Sequence, residues 1–192
     1  MSIAEHVTVF ISIIVGIAIG DLLMSLHKLL RARERVRWHW LPLAVALFMV
    51  LLVVLYWWTS FSWYQAARNL TVADFLPTLF QFVLLFLLAA ASLPDDVPPE
   101  GIDLRTWYSE NSSLYWTMAT ASLLLDIIVG GARELAPGEG IRQLVELKLN
   151  DFVLLPFLAA MIFVRQPWYH GAFILISLAN MAWLTISVAI NS

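Results

Sequence analysis

The sequence predicts an all-α fold, a polytopic transmembrane helical bundle of about six spans, from its composition and its long apolar segments. The chain of 192 residues is 61% hydrophobic and 13% charged, and its mean hydropathy is +0.81. Soluble domains are about 45–50% apolar and about 25% charged. A soluble fold of this size has too little polar surface to cover so many apolar side chains, whereas lipid as the solvent removes this difficulty.

A membrane-spanning helix needs about 20 mostly apolar residues, and six segments meet or approach this length. They are Val7–Leu26, Leu41–Trp58, Phe75–Leu93, Leu114–Gly130, Leu147–Val164 and Trp168–Ile190. The connecting stretches are too short for a second folded unit, so residues 1–192 are expected to form a single transmembrane domain. The first six residues carry Glu5 and no Lys or Arg, unlike a signal peptide, so we expect the first helix to be retained.

Basic residues between the first and second segments indicate the orientation. They are Lys28, Arg31, Arg33, Arg35 and Arg37. The positive-inside rule places this loop, residues 28–37, in the cytoplasm, and six spans then leave both termini on the other side. After the fourth segment, residues 141–148 have an amphipathic pattern that predicts a short helix at the membrane interface.

An internal repeat is one interpretation of the two halves. A shift of 105 residues places Asp21–Met24 on Asp126–Val129 and Lys28 on Arg133. Three helices per half would give a 3+3 inverted repeat, an arrangement common in transporters. The alternative is that any two Leu-rich helices match by composition.

Two carboxylates inside predicted spans need an explanation, because a charge at the bilayer centre costs about 2.5–3.5 kcal/mol or more. Asp21 shares a helical face with Ser25 and Lys28, and Asp126 shares one with Arg133. In one interpretation these five residues line a permeation path, and Asp21 is then the group that matters most. In the other they form packing ion pairs or lie near the interface, where they reach water.

Small and polar residues within the spans indicate helix packing. Ser12, Gly16 and Gly20 recur every four residues and permit close helix contact, either within the bundle or across a homo-oligomer, for which a dimer is expected. Interhelical hydrogen bonds are expected at most of the other polar positions within spans, which are Gln81, Thr117, Thr120 and Asn180.

Aromatic residues flank the second segment, with Trp38 and Trp40 before it. A cluster at its far end comprises Tyr56, Trp57, Trp58, Trp63 and Tyr64. Two interfacial belts are the main interpretation, and an aromatic-lined pore or ligand cage is the alternative. Interfacial anchoring is also expected for the histidines near helix ends, which are His6, His27, His39 and His170.

Several functions lack sequence support. The chain has no cysteine, and it shows no nucleophile elbow, P-loop or metalloprotease motif, so no catalytic residue, metal site or cofactor is predicted. A single short basic segment does not form the broad basic face that nucleic acid requires. Two functions remain: a small channel or transporter for ions or small solutes, and a non-catalytic membrane subunit or scaffold that stabilises a membrane protein partner or a homo-oligomer.

The first third of the chain carries a family resemblance. The run from Ile14 through Asp21 to Leu23, followed by residues 26–33 and 35–42, resembles small multi-pass bacterial inner-membrane proteins of uncharacterised function. The resemblance implies the bacterial cytoplasmic (inner) membrane, and it implies no activity. In that membrane, the termini that the basic loop and six spans place outside would be periplasmic.

Cysteine labelling tests the predicted orientation, because the natural chain offers no competing thiol. In intact cells, an impermeant maleimide should label cysteines placed at Ser2, Asn69 and Ser192 but not one placed at Arg35. Labelling at Arg35 without labelling at Ser2 would show that the orientation is inverted.

Overall fold

The structure is a computed structural model that describes residues 3–66, 71–135 and 140–191, with side chains omitted at 3–4, 66 and 184–191. Within these ranges the chain is all-α, as predicted. The helices are α1 (Ile3–Arg31), α2 (Trp40–Ala66), α3 (Val72–Ala90), α4 (Leu104–Glu134), α5 (Ile141–Leu147), α6 (Leu149–Phe163) and α7 (Pro167–Asn191). The amphipathic stretch after α4 is the separate helix α5, and its Arg142 and Glu146 pair at 3.0 Å.

Helix α4 begins ahead of the predicted apolar segment. It starts at Leu104 rather than Leu114 because Asp103 caps it, accepting hydrogen bonds from the backbone of Arg105 and Thr106 at 2.9 and 3.2 Å. A carboxylate at this position satisfies N–H groups that have no partner within the helix, so a polar turn can precede the apolar run.

Among the residues that the structure describes, four helices are long and apolar enough to cross a bilayer, over residues 5–31, 40–65, 72–90 and 104–134. Helix α6 has 15 apolar-rich residues, a length of about 22 Å that falls short of a hydrocarbon core of about 30 Å. The last side chains of the sixth predicted span, from residue 184, lie outside the described set. The six-span bundle and the 3+3 repeat therefore stay predictions.

A two-residue parallel pairing brings two connections to one end of the bundle. Strand β1 (Val36–Arg37) pairs with β2 (Ile102–Asp103), so the segment after α1 meets the segment after α3. Gly101 has φ +92°, and a Cβ there would lie 2.5 Å from the Arg35 carbonyl oxygen, so glycine permits this approach. Helices α1 to α4 consequently alternate in direction. We call the end that holds the segment from Lys28 to Arg37 the basic end.

Acidic groups partly offset the charge at the basic end. The Lys28 ammonium lies 3.2 Å from the Asp96 carboxylate and donates a hydrogen bond to the Asp95 carbonyl at 2.8 Å. Arg37 lies 4.0 Å from Asp103. The described ion pair of Lys28 thus connects α1 to the segment after α3. No described ion pair connects Lys28 to Asp21 on its own helix.

Arg133 links three helices at the opposite end. Its guanidinium donates a hydrogen bond to Thr78 Oγ1 at 2.8 Å and stacks 4.3 Å from the centroid of the Trp63 ring. The buried Tyr64 hydroxyl donates to the same Thr78 oxygen at 2.9 Å. These contacts tie α4 to α3 and α2, so the structure places Arg133 in packing between helices.

The outward surface fits contact with lipid, since large apolar side chains such as Phe163 (82%), Ile176 (70%) and Trp183 (70%) are exposed. Gly16 and Gly20 also face outward, and a Cβ at either would meet nothing within 4 Å. Of the two interpretations of these glycines, packing within the bundle does not apply, and contact across a homo-oligomer stays a prediction. Ser12 does pack internally, because its hydroxyl accepts a hydrogen bond from Trp57 Nε1 at 3.0 Å.

A buried hydrogen-bond chain joins α4 to α7 near the basic end. Trp116 Nε1 donates a hydrogen bond to the Tyr108 hydroxyl at 3.0 Å. The same hydroxyl lies 2.9 Å from His170 Nδ1. His170 Nε2 lies 2.7 Å from the Val164 carbonyl. A carbonyl only accepts, so Nε2 carries the proton and Nδ1 accepts from Tyr108. His170 is 1% exposed, so the expectation that it anchors at an interface is wrong.

Replacing Tyr108 by Phe should destabilise the fold, because it removes the acceptor of Trp116 and the donor to His170 at once. The expected loss in the free energy of unfolding is about 1–2 kcal/mol, measured by thermal unfolding of the purified protein in one detergent. Tyr169→Phe is the matched control, since its half-buried ring neighbours the same histidine. Equal unfolding temperatures for the two variants would contradict the role of this chain of hydrogen bonds.

Candidate functional site

A cavity of about 310 Å³ lies between helices α2, α3, α4, α6 and α7. Helix α1 contributes no residue to its wall. Much of the wall is apolar, but polar side chains come from all five helices; they are Tyr56, Gln81, Tyr115, Ser122, Asp126, Asp151, Ser177 and Asn180. Along α4 the lining runs from Tyr115 to Asp126, so the cavity extends from the middle of the bundle toward the end opposite the basic end.

Asp126 belongs to a charged cluster at that far end of the cavity. The Lys148 ammonium, in the turn between α5 and α6, lies 2.8 Å from Glu134 and 3.9 Å from Asp126. A Cβ at Gly130 would lie 2.9 Å from the Lys148 nitrogen, so this glycine lets the ammonium approach α4. The Lys148 side chain is only 12% exposed.

Helix α5 holds Lys148 in place through its packing on α4. A Cβ at Gly131 would overlap Leu144 of α5, so glycine at this position allows Leu144 to pack directly against the backbone of α4. The adjacent glycines of α4 therefore have separate purposes: Gly131 receives the apolar face of α5, and Gly130 receives the lysine that follows it.

Two further groups surround Asp126. Asp151, on the first turns of α6, is close enough to interact electrostatically with Asp126, and the Tyr56 hydroxyl of α2 lies beside the same carboxylate. The Asp126 side chain is 27% exposed, although it lies well within α4. Two carboxylates and a phenol from three helices thus converge at this part of the cavity wall.

A buried amide lies about one helical turn further into the bundle. Gln81 Nε2 donates to the Ser122 hydroxyl at 2.6 Å, which confirms the expected interhelical hydrogen bond. Gln81 is 4% exposed, and its Oε1 accepts no hydrogen bond from the described residues. Thr117 and Thr120 instead bond to the backbone of their own helix, so for them the interhelical expectation is wrong.

The structure separates the five predicted site residues. Asp126 lines the cavity, and Arg133 packs nearby between helices. Asp21, Ser25 and Lys28 lie on α1, outside the cavity wall, with Asp21 half-buried and Ser25 buried. The role predicted for Asp21 in permeation stays a prediction, but the structure does not bring it together with Asp126 around this cavity.

Sequence reasoning missed Asp151 and the position of Tyr56. Asp151 lies inside the predicted fifth span, so its charge within an apolar run was a detectable signal. Tyr56 was assigned to an aromatic belt, whereas the structure places it at the cavity, as in the ligand-cage alternative. No periodicity within one helix shows that these residues meet, because they come from different helices.

Comparison with known proteins adds no assignment. No protein family, curated protein or solved structure matches the chain. The resemblance of the first third to bacterial inner-membrane proteins thus stays a prediction, and the cavity has to be interpreted from its own chemistry.

Among the residues that the structure describes, no group of three or more His, Asp or Glu side chains could hold a metal ion.

Lys148→Met should destabilise the protein by about 1 kcal/mol, because it leaves the carboxylates of Asp126 and Glu134 without their cation in a partly buried setting. Solvent at half-exposed Glu134 keeps the loss below that of a fully buried pair. The measurement is the unfolding temperature of the purified protein.

Lys28→Met is the matched control for this change, since Lys28 and its partner Asp96 have side chains that are 43% and 83% exposed. It should change the stability by no more than about 0.5 kcal/mol. An equal loss at both lysines would show that the cluster around Lys148 is no better shielded from water than a surface ion pair.

Proposed function

We propose that this chain is a multi-pass membrane protein that binds a small solute in the cavity between α2, α3, α4, α6 and α7 and carries it across the bilayer. The observation that supports this function is the convergence of Asp126, Asp151 and Gln81 on one internal cavity. Charged and unpaired polar groups are expensive inside a membrane protein, and they typically mark substrate or ion pathways. Packing between helices requires no cavity of this size.

The proposal includes six spans in the bacterial inner membrane, with the basic end in the cytoplasm and both termini in the periplasm. Four long apolar helices, the alternating directions of α1 to α4 and the exposed apolar surface support it. The cluster of Lys and Arg at one end supports the orientation. In this arrangement the cavity is nearer to the periplasmic side.

Buried side chains at the end of the cavity nearest the basic end support a carrier rather than a permanently open pore. Trp116 lines the cavity on the side of the basic end, and its indole is held by the hydrogen bond to Tyr108. Both side chains are buried, as is His170, which completes the chain of hydrogen bonds. Movement of a solute to the cytoplasm would require this region to rearrange, as in alternating access.

A scaffold that forms a homo-oligomer is the second candidate function. It is favoured by one observation: Gly16 and Gly20 form an open, outward-facing surface on α1. A second copy could approach closely along such a surface. A scaffold of this kind does not require water to reach the cavity, and this difference separates the two candidates.

Accessibility of a single cysteine in the cavity tests the proposed function without knowledge of the solute. Ser177→Cys places a thiol at the cavity wall, whereas Ile176→Cys places one on the neighbouring outward surface, where the native side chain is 70% exposed. A carrier should let a small, impermeant, positively charged methanethiosulfonate reach Ser177→Cys from both sides, in right-side-out and in inverted vesicles. Ile176→Cys should not react, because a thiol in lipid does not ionise.

The alternatives predict different labelling patterns. An absence of reaction at Ser177→Cys from both sides would favour the scaffold. Reaction from one side alone would indicate a binding site without translocation and would contradict transport.

A further inference from the structure

The charge of the cavity wall selects the charge of a ligand. The charged side chains of the wall are Asp126 and Asp151, and the wall contains no Lys or Arg. Lys148 lies outside the wall and is closer to Glu134 (2.8 Å) than to Asp126 (3.9 Å). Asp151 makes no ion pair with the described residues. An anionic or zwitterionic ligand would place its own negative group against these carboxylates, so the wall favours a cation.

The unpaired amide oxygen selects a hydrogen-bond donor. The Gln81 side chain is buried, with 4% of its surface exposed. Its Nε2 donates to Ser122, and its Oε1 has no hydrogen-bond partner among the described residues. A buried acceptor without a donor is rare in proteins and marks a position where a bound group can supply one. Gln81 and Asp126 both line the cavity, and Ser122, the partner of the Gln81 amide nitrogen, is one helical turn from Asp126 on α4. The amide and the carboxylate therefore belong to neighbouring parts of the wall.

The remaining wall selects an apolar body. Aromatic side chains of α2, α4 and α7 face the same space; they are Phe48, Tyr56, Tyr115, Trp116 and Phe173. Aromatic faces attract organic cations and pack against apolar groups. A volume of about 310 Å³ is far larger than a bare metal ion or a single water molecule requires, and it lies at the lower end of ligand sites.

We propose that the cavity binds a primary or secondary organic ammonium ion with an aromatic or aliphatic body. The ammonium nitrogen lies between Gln81 Oε1 and the Asp126 carboxylate, with Asp151 as a second counter-charge. The apolar body lies against the aromatic wall toward Trp116. This assignment of a ligand class rests on the proposed function, in which the same cavity is the solute site.

The experiment is calorimetric titration of the full chain in detergent with 2-phenylethylammonium, its N,N,N-trimethyl analogue, 3-phenylpropionate, Na⁺ and K⁺. We expect saturable binding of 2-phenylethylammonium, weaker binding of the trimethyl analogue, and no binding of the anion. Asp126→Asn should weaken 2-phenylethylammonium about tenfold or more, the loss expected for one charge-assisted hydrogen bond. It should weaken the trimethyl analogue less, because this ligand loses only the attraction of the carboxylate charge. Asp21→Asn is the matched control and should change neither, because α1 does not line the cavity.

Gln81→Leu separates the hydrogen bond from the charge. It should weaken 2-phenylethylammonium toward the level of the trimethyl analogue, because one of the two acceptors for its N–H groups is lost while Asp126 remains. It should leave the trimethyl analogue unchanged, because a quaternary ammonium has no N–H to donate. An equal effect on both ligands would show that Gln81 acts only through packing and would overturn the assignment of the N–H donor.

A protection assay covers the case in which Asp126→Asn does not fold. Saturating 2-phenylethylammonium should slow the reaction of Ser177→Cys with the methanethiosulfonate reagent in a chain that is otherwise unchanged. Binding of Na⁺ or K⁺ alone, binding of the anion, or a reactive Ser177→Cys without protection would overturn the ligand class and leave the proposed function standing. An unreactive Ser177→Cys would instead overturn the proposed function itself, together with the ligand class that rests on it.

Discussion

Polar groups that point into this bundle must find hydrogen-bond partners within the protein, because an apolar environment offers no water to replace a missing hydrogen bond. Leu-rich faces slide past one another with little preference for register, whereas hydrogen bonds between side chains specify one arrangement. Helix α4 makes most of these contacts: Trp116 and Tyr108 reach His170 on α7, Ser122 reaches α3, and Arg133 reaches α3 and α2. These hydrogen bonds and the ring contact fix α4 against α2, α3 and α7.

The same constraint explains why the cavity lies where it does. Near the basic end, donors and acceptors are matched in pairs, and His170 uses both ring nitrogens. Toward the opposite end the match is incomplete, since Gln81 Oε1 has no donor and Asp126 shares Lys148 with Glu134. Groups without full internal compensation collect around one space, which is the pattern expected when a bound molecule supplies the missing partners.

Much of the fold was predictable from the sequence because hydrophobicity and capping act locally. Each of the six apolar segments overlaps a helix, and Asp74 accepts a hydrogen bond from the Thr71 backbone at 2.9 Å at the start of α3. The site was predictable only through Asp126. Its neighbours Asp151 and Tyr56 come from other helices, and no pattern along one helix encodes which helices meet. Asp21 carries an equally conspicuous charge, but the packing of α1 leaves it outside the cavity.

The parallel pairing of β1 with β2 has a consequence for the order of events during synthesis. The charged partners of Lys28 and Arg37 are Asp96 and Asp103, which follow α3 in the chain. A ribosome releases the basic segment well before α3 and the acidic stretch after it exist. In the proposed orientation, the five basic side chains therefore act without these partners while the first two helices enter the bilayer, which is the state in which charge determines orientation. The two ion pairs form only after α3 and the segment that follows it have been made.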